Sequence, residues 1–435
     1  MRKLRVLLAA IVVSIAALAA IGCGGNDGDG EEAASTPVST VNAQDVKGEI
    51  TVPATVGVNE PILRALAPEF EKKYPNIKVK VVGINYLNVY ERQLIDLKSK
   101  RGNLDLLTHT PSFFSIYVAN EYLEPLQPLI DNKGLTDDET LALDDLAPSL
   151  LEEANTYEDE LYGLPFIEFP VAFIYRKDLF EKENIEVPET LDEMMEISKQ
   201  LHDPPKIYGN TVQGTVGGAG ANTWNWYPFL FSYGGDILDD SGKPVINSPE
   251  AVEALQYYVD LYKCCSPKES VNWDNSSPYE PMLGGKLAML VTDADTYPQV
   301  VKGDHEIGVA PMPAGPAGSH PLAGSWSYSI SKFSENKEAA WLFMQFIASK
   351  EAMPEYVKAG GIPPRLSTLN EGDDPLFKVV AQSLEQAKGL PKVPNYLEME
   401  DAIGRAIASA LLEDETPKEA LDGAQAELEK MAAEN

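Results

Sequence analysis

The sequence predicts an α/β protein in which short strands alternate with amphipathic helices and assemble into mixed, mostly parallel sheets. Residues 49–55 (EITVPAT) and 77–82 (IKVKVV) are predicted strands. Between them, 60–74 repeats apolar residues at helical spacing and stops at a proline. A helix over 90–99 and a short strand over 104–107 continue the alternation. Strand, helix and strand in succession is the pattern that builds a mostly parallel sheet.

The second observation behind this fold class lies in the last third of the chain. The apolar run 286–291 (KLAMLV) opens directly into the polar turn 292–297 (TDADTY), as expected where a buried strand ends. Ligands of α/β proteins usually bind at the carboxyl ends of strands, so this turn is a candidate binding segment. The helix that follows has one apolar face, formed by Ala339, Ala340, Phe343, Phe346 and Ile347.

Two further helices carry clear start signals. Thr190 with Glu193 predicts a capping box for a helix over 190–201. Ser248 followed by Pro249 predicts the start of a helix that runs to about residue 263. Trp341 lies within the apolar helix of the last third and is predicted to be a core residue.

The chain begins with a predicted secretion signal, residues 1–22. Basic residues precede an apolar run, 6–21, that is too short for a comfortable membrane span. The run ends in AIGC, which resembles the lipobox of bacterial lipoproteins and predicts cleavage before Cys23 and lipidation of its thiol. The alternative is an ordinary signal peptide with an incidental cysteine. Residues 23–45 are rich in small and acidic residues, which predicts a disordered tether after the lipidated cysteine.

The composition of the chain limits the partners that it can bind. The formal charge of the 435-residue chain is −32, which excludes nucleic acid and a bare anionic membrane surface as partners. The charge favours a neutral or cationic solute over an anionic one. The chain beyond the tether is long enough for two lobes with a sizeable core.

Three spaced segments resemble one known family. They are 160–180 (ELYGLPFIEFPVAFIYRKDLF), 234–262 (GGDILDDSGKPVINSPEAVEALQYYVDLY) and 284–350, which contains GGKLAML, GVAPMPAGP and AGSWSYSIS. Their sequence and order resemble the extracellular solute-binding proteins of family 1, the sugar-binding components of ABC importers related to maltose-binding protein. The resemblance implies a periplasmic-binding-protein-like fold of type II, with two lobes, a hinge and an interlobe cleft. It places the N-lobe at 46–167 plus 310–352 and the C-lobe at 168–309 plus 353–435.

The resemblance implies a protein that captures a solute and catalyses no reaction. A mono- or oligosaccharide would enter the cleft, the lobes would close on it, and the closed form would dock on the ABC permease. The resemblance implies a monomer that meets the membrane through its lipid anchor only, with no cofactor. Sugar alcohols, polyamines and glycerol phosphodiesters remain open as ligands, because related folds bind them all.

The rival class is a secreted glycoside hydrolase, which also uses tryptophans and paired carboxylates. Asp293 and Asp295 are two residues apart on one turn, which gives no reason for one to be the acid and the other the base. The four histidines show no HExxH spacing, and the sequence contains no GxSxG elbow. The sequence therefore predicts neither catalytic nor metal-ligating residues.

Aromatic and amide side chains are the predicted sugar contacts. Indole rings pack on the C–H faces of a pyranose, while amides and carboxylates pair with its hydroxyls. The glycine-rich loop 214–231 presents Asn222, Trp224 and Trp226, and at least one of these tryptophans is expected to face the cleft. Tyr86 lies in a polar, aromatic loop after the second strand.

The resemblance supplies the remaining site residues. The turn with Asp293, Asp295 and Tyr297 corresponds to the one that carries an aromatic ligand contact in relatives. The usual tryptophan is missing there, so Tyr297 or another ring must stack on the sugar. Ser325 and Trp326 lie where the family places a cleft loop, and Trp326 is the foremost stacking candidate.

Two charged residues lie near predicted hinge segments. Glu168 falls near the first crossing between lobes, where it is either a cleft residue or a solvated hinge carboxylate. Arg365 lies in GGIPPR, which resembles the family's G-x-P-x-R segment. Its guanidinium either binds ligand hydroxyls or a carboxylate, or pairs with Glu355 or another surface acid.

Cys264 and Cys265 are adjacent and can form a vicinal disulfide in an oxidising exterior. The ring of such a disulfide presents a flat apolar face, which predicts a platform for a sugar, together with Trp273 in the loop that follows. The alternative is a pair of buried thiols at the end of a helix.

Overall fold

The structure, a computed structural model, describes residues 41–217 and 221–433. Contacts among them define one unit, Thr40–Asn435. The predicted signal segment, the lipidation candidate Cys23 and nearly all of the predicted tether lie outside the described residues. Among the residues that are described, no helix combines the length and the apolar character needed to cross a membrane.

The strands of the described part pair into two three-stranded and two two-stranded sheets. Their bounds are β1 (Gly48–Thr55), β2 (Ile77–Ile84), β3 (Leu106–His109), β4 (Thr156–Tyr157), β5 (Glu160–Leu161), β6 (Gly163–Glu168), β7 (Val171–Arg176), β8 (Met289–Asp293), β9 (Ile307–Pro311) and β10 (Ser325–Ile330). The sheets are ordered β1-β2, β3-β10-β6, β4-β5 and β8-β7-β9.

Helices cover these sheets. In chain order they are α1 (Glu60–Lys73), α2 (Tyr86–Ser99), α3 (Pro111–Ala119), α4 (Gln127–Asp131), α5 (Asp138–Leu141), α6 (Pro148–Asn155), α7 (Lys177–Glu183), α8 (Leu191–Leu201), α9 (Ala221–Ser232), α10 (Pro249–Cys265), α11 (Tyr279–Leu283), α12 (Tyr297–Val300), α13 (Lys337–Ala348), α14 (Met353–Lys358), α15 (Leu366–Leu369), α16 (Pro375–Leu384), α17 (Tyr396–Leu411) and α18 (Pro417–Ala433). The predicted capping box is confirmed, since Thr190 Oγ1 accepts from Glu193 N and Glu193 accepts from Thr190 N. Ser248 caps α10 by accepting from Ala251 N.

The first layer joins β1-β2 to β3-β10-β6 through Asp105. The Asp105 carboxylate accepts a hydrogen bond of 2.7 Å from Thr51 N, and Asp105 N donates to Thr51 O at 3.0 Å. Helix α13 packs on this layer, and its Trp341 is fully buried, with Nε1 donating to Thr136 Oγ1 at 2.8 Å. The prediction that Trp341 is a core residue is therefore confirmed.

The second layer is the sheet β8-β7-β9, with α16 packed against β7 and β9. The α/β class is confirmed, but the expectation of mostly parallel strands is wrong for the paired strands of the described part. There, β1 and β2 run parallel, while β10 is antiparallel to β3 and β6, and β7 is antiparallel to β8 and β9. The reason is connectivity: β10 enters the first layer only after the chain has passed through the second, so no βαβ crossover fixes its direction.

The chain passes between the two layers in three segments that are hydrogen-bonded to one another. The first is Phe169 with Pro170, the second is 312–324, and the third follows α14. Phe169 N donates to Gly324 O at 2.9 Å, and Glu168 N donates to Ile362 O at 3.1 Å. Gly324 is required there, because a β-carbon would lie 2.5 Å from the Phe169 carbonyl oxygen.

The two-lobe division stays a prediction, and the strand pairing refines where its boundaries would fall. Strand β9 stays paired with β7 through Pro311, and α14 packs against α1 of the first layer. The second and third passages therefore begin a few residues after the boundaries predicted at 310 and 353.

Candidate functional site

A cleft of about 460 Å³ opens where strands of both layers end. The residues that line it are Val58, Tyr86, Thr110, Ser112, Phe169, Thr215, Val216, Gly217, Trp224, Asp274, Asn275, Ser276, Tyr279, Asp293, Asp295 and Trp326. Most of the larger side chains in this set are aromatic, and most of the rest carry a hydroxyl, amide or carboxylate.

One wall comes from the carboxyl ends of β1, β2 and β3. Val58 follows β1, Tyr86 begins the helix after β2, and Ser112 lies in the first turn after β3. The polar and aromatic loops at these strand ends therefore meet at one edge of the layer. Tyr86 is 40% exposed at the mouth of the cleft.

Trp326 reaches the same wall from β10. The strand pairs Trp326 with Ile167 and Ser327 with Pro165, so that a β-bulge lies between the two residues. Such a bulge bends a strand and changes where a side chain points. The indole is 5% exposed and meets the Tyr86 ring edge-on, with ring centroids 6.0 Å apart.

The opposite wall is organised around Asp293, the last residue of β8. Trp224 Nε1 donates to Asp293 Oδ1 at 2.7 Å, and Asn275 Nδ2 donates to Oδ2 at 3.3 Å. Asn275 in turn accepts from Asn225 Nδ2 at 2.8 Å. These contacts fix the orientation of one carboxylate and one indole on the cleft surface.

Two carboxyl groups of this wall, Asp293 and Asp295, have raised pKa values. Burial, together with the nearby charge of Asp295, raises the pKa of Asp293 well above its usual range. Burial raises the pKa of Asp295 to about 6. The described residues that line the cleft include no lysine, arginine or histidine. Without a cation to stabilise them, these two carboxylates take up a proton more readily than exposed ones.

The Asp295 pKa predicts how stability depends on pH. A carboxyl with a higher pKa in the folded than in the unfolded state stabilises the protein below its unfolded pKa of about 4. That stabilisation is lost as the pH rises through the folded value of about 6. We expect Asp295→Asn to flatten the decline in melting temperature between these pH values, measured by differential scanning calorimetry.

The matched control is Asp240→Asn, because Asp240 is an exposed aspartate. It should leave the pH profile of the melting temperature unchanged. Parallel profiles for Asp295→Asn and the unaltered protein would show that Asp295 titrates as an ordinary surface carboxylate.

Trp224 and Trp226 lie on opposite sides of α9, because two residues along a helix are rotated by roughly 200°. Trp224 lines the cleft, whereas Trp226 is fully buried beside Tyr227, so its assignment as a ligand contact is wrong. Asn222 is likewise buried, and its Nδ2 donates to Gly404 O at 2.7 Å, which ties α9 to α17. Asn222 therefore has a structural role.

Tyr297 and Trp273 were predicted as ligand contacts, but neither is among the described residues that line the cleft. After Asp295 the chain turns into α12, where Tyr297 packs against the two hydrophobic clusters that contain Leu376 and Val300. Trp273 packs against the cluster that contains Met282 and Leu287. Tyr279 and the run 274–276 line the cleft instead.

Ser325 and Glu168 lie behind the cleft, at the passage between the layers. Both are fully buried, and Ser325 Oγ donates to Glu168 Oε1 at 3.4 Å. Burial raises the pKa of Glu168 well above its usual range. Neither alternative for Glu168, a cleft residue or a solvated carboxylate, agrees with this position.

Arg365 is a structural residue, and its assignment as a ligand contact is wrong. It is 1% exposed, and its guanidinium donates to Leu141 O at 2.8 Å, Thr140 O at 3.1 Å and Asp145 Oδ2 at 3.2 Å. Its Nε also donates to Ala348 O. Arg365 thus binds the end of α5 and the segment that follows it to the end of α13.

Cys264 and Cys265 are joined by a disulfide at the end of α10. Cys265 is buried, and Cys264 contacts Met195 of α8. The disulfide therefore packs into the scaffold, and its interpretation as a platform for a sugar is wrong. Within the part of the chain that the structure describes, no cluster of His, Cys, Asp and Glu is arranged to hold a metal ion.

Several cleft residues escaped the sequence analysis. Thr215 lies in the glycine-rich loop 214–231, so that segment was predicted but not the residue. Thr110 and Ser112, at the start of α3, were not among the predicted contacts. Tyr279 and Phe169 carried no local signal, because an isolated aromatic residue in a sequence does not reveal which surface it faces. Phe169 packs its ring 6.0 Å from that of Trp224.

Two α/β layers with a cleft between their strand ends define the periplasmic type of ligand-binding protein, in which the site lies between two parts of the chain. The chain belongs to the bacterial extracellular solute-binding protein family, whose sequence model matches residues 57–354. The fold predicted from the resemblance is thereby confirmed.

Similar proteins have several ligands in their names. The mannitol-binding protein of Pseudomonas aeruginosa is 27% identical over 406 residues, which cover 86% of this chain and 90% of that protein. A probable amino-acid ABC transporter periplasmic-binding protein of Sinorhizobium fredii is 24% identical, covering 81% and 82%. A solute-binding protein of Agrobacterium radiobacter K84, solved in complex with ribitol, is 29% identical with a TM-score of 0.77, covering 90% of this chain and all of that one.

Proposed function

We propose that this protein is the extracytoplasmic solute-binding component of an ABC importer and that it captures a small neutral carbohydrate, a sugar or a sugar alcohol. The observation that carries the proposal is the lining of the cleft. It combines aromatic rings with hydroxyl, amide and carboxylate groups, and its described residues offer no cation.

Each wall supplies one half of carbohydrate recognition. Trp326 and Tyr86 offer apolar ring surface to C–H groups on one side. Asp293, fixed by Trp224 and Asn275, offers an oriented acceptor for hydroxyl donors on the other. A polyhydroxylated ligand contacts both walls at once, which is the condition for closure.

The charge of the cleft argues against an anionic ligand or an amino acid. The α-carboxylate of an amino acid needs a cation or a set of backbone donors to replace its water. Asp274, Asp293 and Asp295 would instead repel it. The names of the mannitol-binding and ribitol-bound relatives support the neutral class, although another relative is named for amino acids.

Delivery completes the proposed function. The closed, loaded form docks on the transmembrane permease of the importer, while a lipid on Cys23 and the tether keep the protein near that membrane. The protein acts as a monomer. It performs no catalysis, because Asp293 and Asp295 share one wall and do not flank a bound sugar from opposite sides.

Thermal unfolding of the purified protein against matched ligands tests this function. The panel contains ribitol, D-mannitol, maltose and glucose, with gluconate and glucosamine as charged partners of glucose, and with amino acids and spermidine. A ligand present at a hundred times its Kd adds roughly 2.7 kcal/mol to the free energy of unfolding. We expect a neutral carbohydrate to raise the melting temperature and to be recovered intact.

Other outcomes assign other functions. A carbohydrate recovered in cleaved form would identify a glycoside hydrolase. A shift with spermidine or amino acids alone would place the ligand outside the carbohydrates.

A further inference from the structure

Glu400 is a buried carboxyl directly behind the first wall of the cleft. It lies on α17 and is 3% exposed. Ser112 Oγ, which lines the cleft, donates to Glu400 Oε1 at 3.5 Å. One hydroxyl group therefore separates this carboxyl from the space that a ligand would fill.

The other contacts of Glu400 are also hydroxyl groups. Tyr396 OH lies 3.2 Å from Oε1 and 3.4 Å from Tyr227 OH. Tyr396 has one hydroxyl proton, which it shares between Glu400 Oε1 and Tyr227 OH as acceptors. Thr223 bonds to the carboxyl as well. Burial dominates these contacts and raises the pKa of Glu400 to about 7.

The contact between Ser112 and Glu400 joins elements that belong to different parts of the fold. Helix α3 follows β3 of the first layer, whereas α17 packs on α9, which carries Trp224 of the opposite wall. Ser115 of α3 adds a second link, since its Oγ donates to Pro391 O at 3.1 Å. Glu400 therefore contacts elements that carry both walls of the cleft, through Ser112 of α3 and Thr223 of α9.

We propose that Glu400 is a positioning residue of the binding cleft, which holds the Ser112 hydroxyl with its oxygen free to face the ligand and links carbohydrate affinity to its own protonation. A carboxyl group accepts through Oε1 in either protonation state, so the Ser112 hydroxyl donates to Glu400 throughout and its own oxygen is left to accept a hydrogen bond from a ligand hydroxyl. The inference rests on the proposed function, because it assumes a neutral, hydroxyl-bearing ligand.

The surroundings of Glu400 determine the sign of the pH dependence. The groups that face it are Tyr396 and Asp401 of α17, Tyr227 and Thr223 of α9, Ser112 of α3 and Tyr86 of α2. Arg405, on the same helix, pairs with Asp401 and with Glu427 of α18. A neutral ligand that replaces water at Ser112 buries Glu400 further and favours its protonated form. Affinity is then highest below pH 7 and falls as the pH rises.

The test compares the full chain with Glu400→Gln and Ser112→Ala, using Glu398→Gln as the control. Glu398 lies on the same helix but is exposed. Calorimetric titration with D-mannitol, ribitol and maltose at pH 6 to 8 gives Kd. If binding raises the pKa of Glu400 by about one unit, Kd increases roughly fivefold over this range. We expect Glu400→Gln to lose that increase and Glu398→Gln to keep it.

A second measurement needs no ligand and separates this inference from the proposed function. The melting temperature of the unliganded protein, measured against pH, reports the ionisation of Glu400 as a difference between the unaltered chain and Glu400→Gln. Ser112→Ala removes a donor to the carboxylate, so it should move this transition to higher pH. Glu398→Gln should leave the transition in place.

Three results would overturn the inference. One is a difference in melting temperature between the unliganded unaltered chain and Glu400→Gln that does not vary with pH. Another is a Ser112→Ala variant in which the transition occurs at the same pH as in the unaltered chain. The third is an equal pH dependence of Kd in Glu400→Gln and the unaltered chain. If no carbohydrate binds at all, the proposed function and the affinity part of the inference fail together. The ligand-free titration then still decides whether Ser112 and Glu400 are coupled.

Discussion

Replacing Trp326 by alanine is expected to weaken carbohydrate binding by about 3 kcal/mol, which is roughly a hundredfold increase in Kd. The indole forms the apolar surface of the first wall and supports the Tyr86 ring at the mouth of the cleft. Its removal takes away the ring on which the C–H face of a sugar would pack. Isothermal titration with the carbohydrate that raises the melting temperature measures this change directly.

Two other variants separate the loss of a binding surface from a loss of folding. Trp326→Phe keeps an aromatic ring in the cleft and should retain most of the affinity. Trp341→Phe removes an indole from the core, where its Nε1 bonds to Thr136, and should lower stability while leaving Kd unchanged. An unchanged Kd in folded Trp326→Ala would remove Trp326 from the binding site.

Local patterns were sufficient to predict most of the scaffold. The capping box at Thr190 and Glu193 depends on residues within one helical turn, and the structure confirms it. The predicted apolar face of α13 is buried, but so is the rest of the helix from Ala339 to Ala348. The direction of β10 depends instead on where the chain travels between β9 and β10. No local pattern contains that information, so the expectation of mostly parallel strands failed.

The site was predictable to the level of segments. The predicted polar and aromatic segments do meet at the cleft, and they supply Tyr86, Asp293, Asp295 and Trp326. Which ring faces the ligand depends on helical phase, as the contrast between Trp224 and Trp226 shows. The role of a charged residue is harder still to predict, because the sequence does not tell whether a guanidinium binds a ligand or backbone carbonyls.

Substitution of Arg365 by alanine is the second change with a large expected effect, and it acts on stability. The guanidinium is buried and bonds to the carbonyls of Leu141, Thr140 and Ala348 as well as to Asp145. Its removal leaves these acceptors without their donor, and breaking a buried pair of this kind destabilises a protein by roughly 3–5 kcal/mol. Urea unfolding, followed by tryptophan fluorescence, should show a midpoint lowered accordingly.

Arg405→Ala is the matched control, since Arg405 bonds to Asp401 and Glu427 on the exposed surface of α17 and α18. Exposed ion pairs contribute about 0–1 kcal/mol, so the unfolding midpoint should hardly move. In both variants the folded fraction should bind carbohydrate with unchanged Kd, because Arg365 holds the segment after α5 and lies outside the cleft lining. A stable Arg365→Ala protein that no longer binds carbohydrate would instead restore Arg365 as a ligand contact.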